Sequence, residues 1–240
     1  MLQTLNSKAG RGAGMTATRI IELSGGASDA EALAEAAAAL GDGKTVVFPT
    51  ETVYGLGCCA SMPEAVRRVY EIKGRAWGKP LAAYVVSVAE AVRYGVVFSE
   101  EARRLAERFW PGPLTLLLPD AGGNRVGFRC PGDPRALALI RRAGVPVAGT
   151  SANRSGEAPP ADGAEAVRLM DGLADLVLAA GPARLGRESS IVDLAGPEPR
   201  LVREGAVGCG EIEEALGRSL LRGDADDRAG AAERRRKGRA

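Results

Sequence analysis

The side chains best equipped for chemistry in this 240-residue chain are cations, hydroxyls and amides. Lys73, Arg75 and Lys79 place three positive charges within seven residues, beside a glycine, Gly74, that can stop a helix. Such a group suits a polyphosphate. A cation about 4 Å from a phosphate oxygen gains on the order of 4 kcal/mol at an effective dielectric of 20, before desolvation is subtracted. Arginine offers a planar fork for phosphate or carboxylate, and lysine a mobile point charge. The same cations also suit the negative end of a helix dipole, so two readings stand for this segment taken alone.

Three further groups share this chemistry. Gly149-Thr150-Ser151-Ala152-Asn153-Arg154-Ser155-Gly156 has hydroxyls, a side-chain amide and small residues that could surround an anion or form an ordinary loop. It lacks the G-x-x-x-x-G-K-[ST] spacing of the common nucleotide loop. Pro49-Thr50-Glu51-Thr52-Val53-Tyr54-Gly55-Leu56-Gly57 carries hydroxyls away from an apolar run, with glycines for tight turns or close backbone approach. Arg129, Ser189-Ser190 before Ile191-Val192-Asp193, and Arg203 after Leu201-Val202 form a scattered fourth group. Together these residues have enough donors for a nucleotide and an amino-acid carboxylate, if the fold makes them converge. Trp110-Pro111-Gly112-Pro113-Leu114-Thr115 reads as a rigid structural turn with a packed tryptophan.

Composition narrows the chemistry. Histidine is absent, which removes imidazole acid–base catalysis, a Ser-His-Asp triad and the usual histidine metal ligands. Cys58 and Cys59 are adjacent, and Cys130 and Cys209 stand alone, so no C-x-x-C pair suggests zinc or redox chemistry. We expect four reduced thiols, no metal held by protein ligands, and a cytoplasmic protein: there is neither an 18-residue apolar run nor the apolar core of a signal peptide. The net charge is +2. Residues 222–240 hold seven Lys/Arg against four Asp/Glu, so the cationic surplus sits in that tail, readable as a nucleic-acid tether or as a solvated end.

The elements that must position these groups alternate along the chain. The capping-box pattern Ser28-Asp29-Ala30-Glu31 opens an alanine-rich helix ended by Gly41. Strand patterns follow at 45–48, 81–86, 114–118, 126–130, 145–149, 174–178, 189–194 and 200–203. Helices are expected at 63–73, 99–109, from Asp133-Pro134 to Gly144, at 163–171 and at 210–217. This interleaving defines one α/β domain with a mixed parallel and antiparallel sheet. We expect a flexible extension at 1–17, the folded domain at 18–217, and a charged tail at 218–240.

In order and spacing, the segments at 49–57, Lys73-Gly74-Arg75, Lys79-Pro80-Leu81, 110–115, Ser151-Ala152-Asn153 and 189–193 resemble the YrdC-like family of threonylcarbamoyl-adenylate synthases. The resemblance covers roughly residues 20–210. It implies a twisted mixed sheet with flanking helices around a deep basic cavity. It also implies a nucleotidyltransferase that makes threonylcarbamoyl-AMP and pyrophosphate from L-threonine, bicarbonate or CO2, and ATP, with Mg2+ carried on the ATP. A threonylcarbamoyl-transferase partner would then modify the adenosine next to the anticodon of tRNA, and contact with tRNA or double-stranded RNA is a further expectation. Residue by residue, Lys73, Arg75, Ser151 and Asn153 resemble the family's catalytic set, and Thr52, Arg129 and Ser189 its threonine site. Arg75, Lys79, Ser151 and Arg203 resemble its nucleotide contacts. The sequence departs from the pattern at Ala76, where a proline is common, and at Trp77-Gly78, in a loop that is typically polar. Tyr84 stands where some members have histidine, and Pro159-Pro160-Ala161 replaces a stretch often containing Ser-Pro-Thr. Alternative readings are an RNA-binding or ribosome-maturation module, or a carbamoyl-adenylate domain of another carbamoyltransfer pathway.

Overall fold

The computed structural model describes residues 17–26, 29–77 and 79–223. Its eleven strands form one sheet: β1 (Arg19–Glu22), β2 (Val46–Phe48), β3 (Gly55–Cys59), β4 (Ala82–Tyr84), β5 (Leu114–Pro119), β6 (Arg125–Arg129), β7 (Val147–Ser151), β8 (Leu176–Ala179), β9 (Ser190–Asp193), β10 (Arg200–Arg203) and β11 (Leu221–Arg222). They lie in the order β1-β8-β2-β3-β7-β4-β6-β5-β9-β10-β11. Parallel pairs such as β4–β6 and β5–β9 alternate with antiparallel ones such as β3–β7 and β5–β6. The sheet is therefore mixed, as expected.

Seven helices, α1 (Asp29–Gly41), α2 (Pro63–Lys73), α3 (Val88–Arg93), α4 (Glu100–Phe109), α5 (Pro134–Ala143), α6 (Gly163–Met170) and α7 (Cys209–Leu216), cover the sheet among the described residues. None is long and apolar enough to cross a membrane. The side-chain alternation of the strands sorts the cores. Val46 and Phe48 of β2 and Leu176 and Leu178 of β8 join a cluster with α1 and α5, whereas Val47 and Val177 between them join α2 and α6. A third cluster packs α4 and α7 with β5, β6 and β9. Cys58, Cys59, Cys130 and Cys209 are free and buried in these layers.

Local chemistry sets the helix ends that matter for the site. Ser99 caps α4 by accepting from the Ala102 amide, and Asp133 caps α5 by accepting from Arg135 and Ala136. At the end of α2, Gly74 takes the left-handed conformation at φ 57, and the amide of Arg75 returns to Tyr70 O. A side chain there would be strained, which is why glycine stops this helix. The turn leaves Lys73 facing inward and sends Arg75 into the following loop.

Several boundaries differ from the sequence reading. Gly41 is the last residue of α1 and not its stop: Gly43, at φ 78, turns the chain, and the Lys44 amide closes on Ala39 O. Ser28, in the expected capping box, lies outside the described residues, as do 1–16 and 224–240. The segment at 49–57, whose glycines suit tight turns or close backbone approach, ends in a buried strand, β3, where they serve close approach: a Cβ on Gly57 would stand 2.9 Å from the Phe48 ring. The helix α3, capped by Ser87, and strand β1 were not foreseen. Strand β7 runs on through Thr150 to Ser151, so the loop begins later than composition suggested. Strand β11 lies beyond the expected boundary at 217 and pairs in parallel with β10.

Candidate functional site

The end of α2 and the end of β7 meet through Lys73. This side chain is only 2% exposed, and Nζ donates to Ser151 O at 2.6 Å, Asn153 O at 2.7 Å and Asn153 Oδ1 at 3.1 Å. All three ammonium donors are thus used. Ser151 Oγ also donates to Asn153 Oδ1 at 2.6 Å, and Asn153 Nδ2 donates to Arg154 O and Glu157 O. Asn153 therefore satisfies both ends of its amide while buried. Burial, with the nearby Arg75 charge adding to it, lowers the Lys73 pKa to about 8. Three acceptors around one nitrogen act the other way, because only the ammonium has three hydrogens to give.

Arg75 is half-buried and folds back on its own loop, donating from Nε to Lys79 O at 2.8 Å and from Nη2 to Pro80 O at 3.1 Å. Its pKa is lowered by desolvation, with the Arg203 charge contributing in the same direction. Arg75 thus interacts electrostatically with Lys73 on one side and with Arg203 on the other. The Lys79 side chain is exposed, and only its backbone takes part in this network.

A second set forms around Arg129. Sheet register places Tyr84, Arg129 and Thr115 side by side across β4, β6 and β5. The 49–54 loop folds against this row. Arg129 Nη2 donates to Thr52 Oγ1 at 2.6 Å and to Glu51 Oε1 at 2.8 Å, while Glu51 Oε2 accepts from the Gly132 amide. This ion pair is nearly inaccessible, its side chains 7% and 2% exposed. Arg129 Nε is buried without a partner, the only side-chain nitrogen or oxygen in that state among the described residues. A buried donor left unpaired is costly, which makes this atom a natural point for a ligand oxygen. Thr115 Oγ1 and Ser189 Oγ lie 2.9 Å apart, which extends the row with hydroxyls.

Arg203 connects the two sets. Nε and Nη2 donate to Ser189 O at 3.0 and 2.9 Å, Nη2 reaches Ser189 Oγ at 3.3 Å, and Nη1 pairs with Glu188. Its charge acts on Arg75 on one side and on Tyr84 on the other. The Tyr84 ring closes the arrangement from the opposite direction. It packs edge-on against Phe48 at 5.5 Å, over a floor of Gly55, Gly57 and Gly149 where a Cβ on Gly149 would stand 2.6 Å from Leu56 O. The fold thus gathers Lys73, Ser151 and Asn153 in one group and Thr52, Arg129, Ser189 and Arg203 in a second, while Arg75 bonds to its own loop and the Lys79 side chain stands apart.

Two residues in this arrangement escaped the sequence reading. Glu51 lies within the hydroxyl-rich segment 49–57, whose pattern does not single it out. A lone acid in an apolar and hydroxyl context, with a cation at 129 on a strand, was the available signal. Thr115 was taken as part of a structural turn. In that turn Trp110 Nε1 donates to Leu114 O, and the chain continues directly into β5, which places Thr115 in the row. A surface hollow of about 300 Å³ between Trp110, Arg184, Leu185 and Val207 lies on the outer side of this turn, and none of the expected site residues lines it.

Fold and site together define a mixed-sheet α/β protein with a centre lined by cations and hydroxyls. Residues 38–205 match the Sua5–YciO–YrdC family model, described as telomere recombination, and the chain belongs to this family. A threonylcarbamoyl-AMP synthase of Bacillus subtilis (strain 168) is 38% identical over 195 residues, which cover 77% of this chain and 56% of the relative. A putative threonylcarbamoyl-AMP synthase of Mycobacterium tuberculosis (strain H37Rv) is 38% identical over 197 residues, covering 77% of this chain and 89% of the relative. The crystal structure of Pyrococcus abyssi Sua5 complexed with L-threonine superposes with a TM-score of 0.77 at 35% identity, over 86% of this chain and 62% of that one. The chain thus spans little more than half the length of the Bacillus relative.

Proposed function

We propose that this chain condenses L-threonine, bicarbonate or CO2, and ATP into threonylcarbamoyl-AMP with release of pyrophosphate. The observation that carries the reading is the unpartnered, buried Nε of Arg129 beside the Thr52, Thr115 and Ser189 hydroxyls, with Arg203 bonded to Ser189 at the edge of that row. An amino-acid site and a polyphosphate site would then share one border. The names of the relatives and the threonine complex of the Pyrococcus protein support the same assignment.

In this reading the carboxylate of threonine takes the free Nε of Arg129, and Thr52, Thr115 and Ser189 offer hydroxyls to its polar atoms. The amine captures CO2 as a carbamate and loses a proton to solvent. A carbamate oxygen attacks the α-phosphorus of ATP, the P–O bond to the β-phosphate breaks, and pyrophosphate leaves. Arg75 and Arg203, with Ser151 at the border, neutralise the charge that develops. Lys73 holds the Ser151–Asn153 segment in place and supplies a positive field. Such a reaction depends on positioning and electrostatics more than on a protein base, consistent with a chain that lacks histidine. Mg2+ would arrive on the triphosphate, where it offsets phosphate charge. The transferase partner, the tRNA product and a cytoplasmic location extend the same proposal.

The test is a product assay. Purified chain with ATP, Mg2+, bicarbonate and L-threonine should release pyrophosphate and form threonylcarbamoyl-AMP. Arg75→Ala should abolish turnover while leaving the unfolding free energy within about 1 kcal/mol of wild type, as expected for a partly exposed side chain outside the core that bonds only to its own loop. Turnover with carbamoyl phosphate but none with threonine would replace this reading by the other carbamoyltransfer branch, and wild-type activity in Arg75→Ala would remove the site.

A further inference from the structure

The loop after α2 carries the most exposed large apolar side chain among the described residues, Trp77, at 63%. Its indole is not loose: it stacks on the buried Tyr70 ring with centroids 4.4 Å apart and planes 15° from parallel. Tyr70 is itself fixed, since its hydroxyl donates to Lys79 O at 3.0 Å. Arg75 clamps the same loop through Lys79 O and Pro80 O, and the Lys79 amide closes a turn on Ala76 O. The loop therefore presents one face of a supported aromatic plane to solvent, two residues along the chain from Arg75 and two from the exposed Lys79.

The charge around this plane identifies what it suits. Arg75 interacts electrostatically with Tyr70, the ring on which Trp77 stacks, and with Arg203, and Lys79 adds an exposed cation on the loop itself. The other exposed large apolar residues, Ile20, Met62, Val92, Tyr94 and Val97, sit on other elements, so Trp77 is an isolated plane in a cationic setting and not part of an apolar patch for a protein partner. A flat, π-bearing group attached to phosphates matches both features, because bases stack on aromatic side chains while cations hold the backbone or chain of phosphates.

We propose that Trp77 is a base-stacking residue that receives the purine of the nucleotide whose phosphates lie at Arg75 and Arg203. This rests on the ATP-dependent reading above and adds to it the residue that recognises the base. Because Arg75 holds the loop by its backbone carbonyls, phosphate binding at Arg75 and placement of the indole over the base are mechanically linked.

The experiment reads binding and not turnover, so it separates this inference from the proposed activity. Tryptophan fluorescence and calorimetry are recorded for the wild-type chain, Trp77→Phe and Trp77→Ala with Mg-ATP, inorganic tripolyphosphate and single-stranded polyadenylate. ATP should quench the wild-type emission, and tripolyphosphate should not. The quench should vanish in Trp77→Ala, leaving the unchanged signal of Trp110. Trp77→Ala should weaken ATP about tenfold and tripolyphosphate less than twofold, with Trp77→Phe recovering most of the loss. Equal ATP affinity in Trp77→Ala and wild type overturns the proposal, as does equal weakening of ATP and tripolyphosphate. A loss confined to polyadenylate would assign the plane to RNA and overturn the ATP assignment. Trp77-dependent ATP binding without threonine-dependent product would sustain this inference while removing the proposed reaction.

Discussion

Lys73 shows how one side chain can be both a strut and a charge. Its three donors are taken by Ser151 O, Asn153 O and Asn153 Oδ1, so it reaches a phosphate only through its field or by exchanging a partner. Burial lowers its pKa to about 8, which puts its charge within reach of ordinary assay conditions. An ATP polyanion favours the ammonium, so binding takes up a proton wherever the free chain has lost one. ATP affinity should therefore be flat below about pH 8 and fall above it by at most about tenfold per unit, as linkage to one proton requires. Calorimetric titrations from pH 7 to 9.5 check this. Lys73→Met should bind more weakly throughout and without the bend; an identical bend in that variant would assign the titration elsewhere. Arg129 teaches the complementary lesson. The sequence reading gave it a carboxylate to bind, and the fold already provides one in Glu51, while leaving Nε for another.

At the scale of elements, the arrangement depends on glycines whose purpose is space. Gly55, Gly57 and Gly149 lie under the Phe48 and Tyr84 rings, and Gly149 also faces the backbone of β3 at Leu56 O. Gly149→Ala brings a Cβ against backbone, where no side chain can yield, and should cost about 1–3 kcal/mol by overpacking. Gly41→Ala, at a helical position with open space around its Cβ, should instead stabilise by about 0.5–1 kcal/mol. Urea unfolding of the two variants measures both; a neutral Gly149→Ala would refute the packed floor. The same residues explain what the sequence concealed. Helix α2, with proline at its start and Gly74 at its stop, and helices α4 and α5 with their Ser99 and Asp133 caps, are written in local chemistry and were legible. Strand β3, Gly-Leu-Gly-Cys-Cys, has weak intrinsic strand preference and exists because Phe48 and Tyr84 need its glycines, a tertiary reason invisible to a local pattern. The site followed the same division. The Lys73–Asn153 contact, 80 residues apart, joins two segments each legible as a polar group, whereas Glu51 carries no such local mark and its pairing with Arg129, 78 residues away, needed the sheet order to appear.

On the scale of the whole molecule, three clusters cover one sheet, and the far cluster depends on chain beyond the boundary first drawn at 217. Leu220 is 8% exposed and belongs to the cluster of α4, α7, β5, β6 and β9. Its amide donates to Glu213 Oε1, the Leu221 amide donates to Pro199 O, and β11 then pairs with β10, the strand that ends at Arg203. A chain ending at 217 loses that leucine and the edge strand together. By analogy with deleting a buried leucine side chain, it should be about 2–5 kcal/mol less stable than the full chain, with reduced product formation because Arg203 loses its outer support. A chain ending at Gly223 removes most of the basic surplus yet keeps β11, and should match the full chain in urea midpoint and in threonylcarbamoyl-AMP formation. Nucleic-acid retention is then the measurement that separates the two readings of the tail. If the chain ending at 223 loses retention but not product, residues 224–240 are a tether; if it loses product, they belong to the active unit and the boundary drawn from the sheet is wrong.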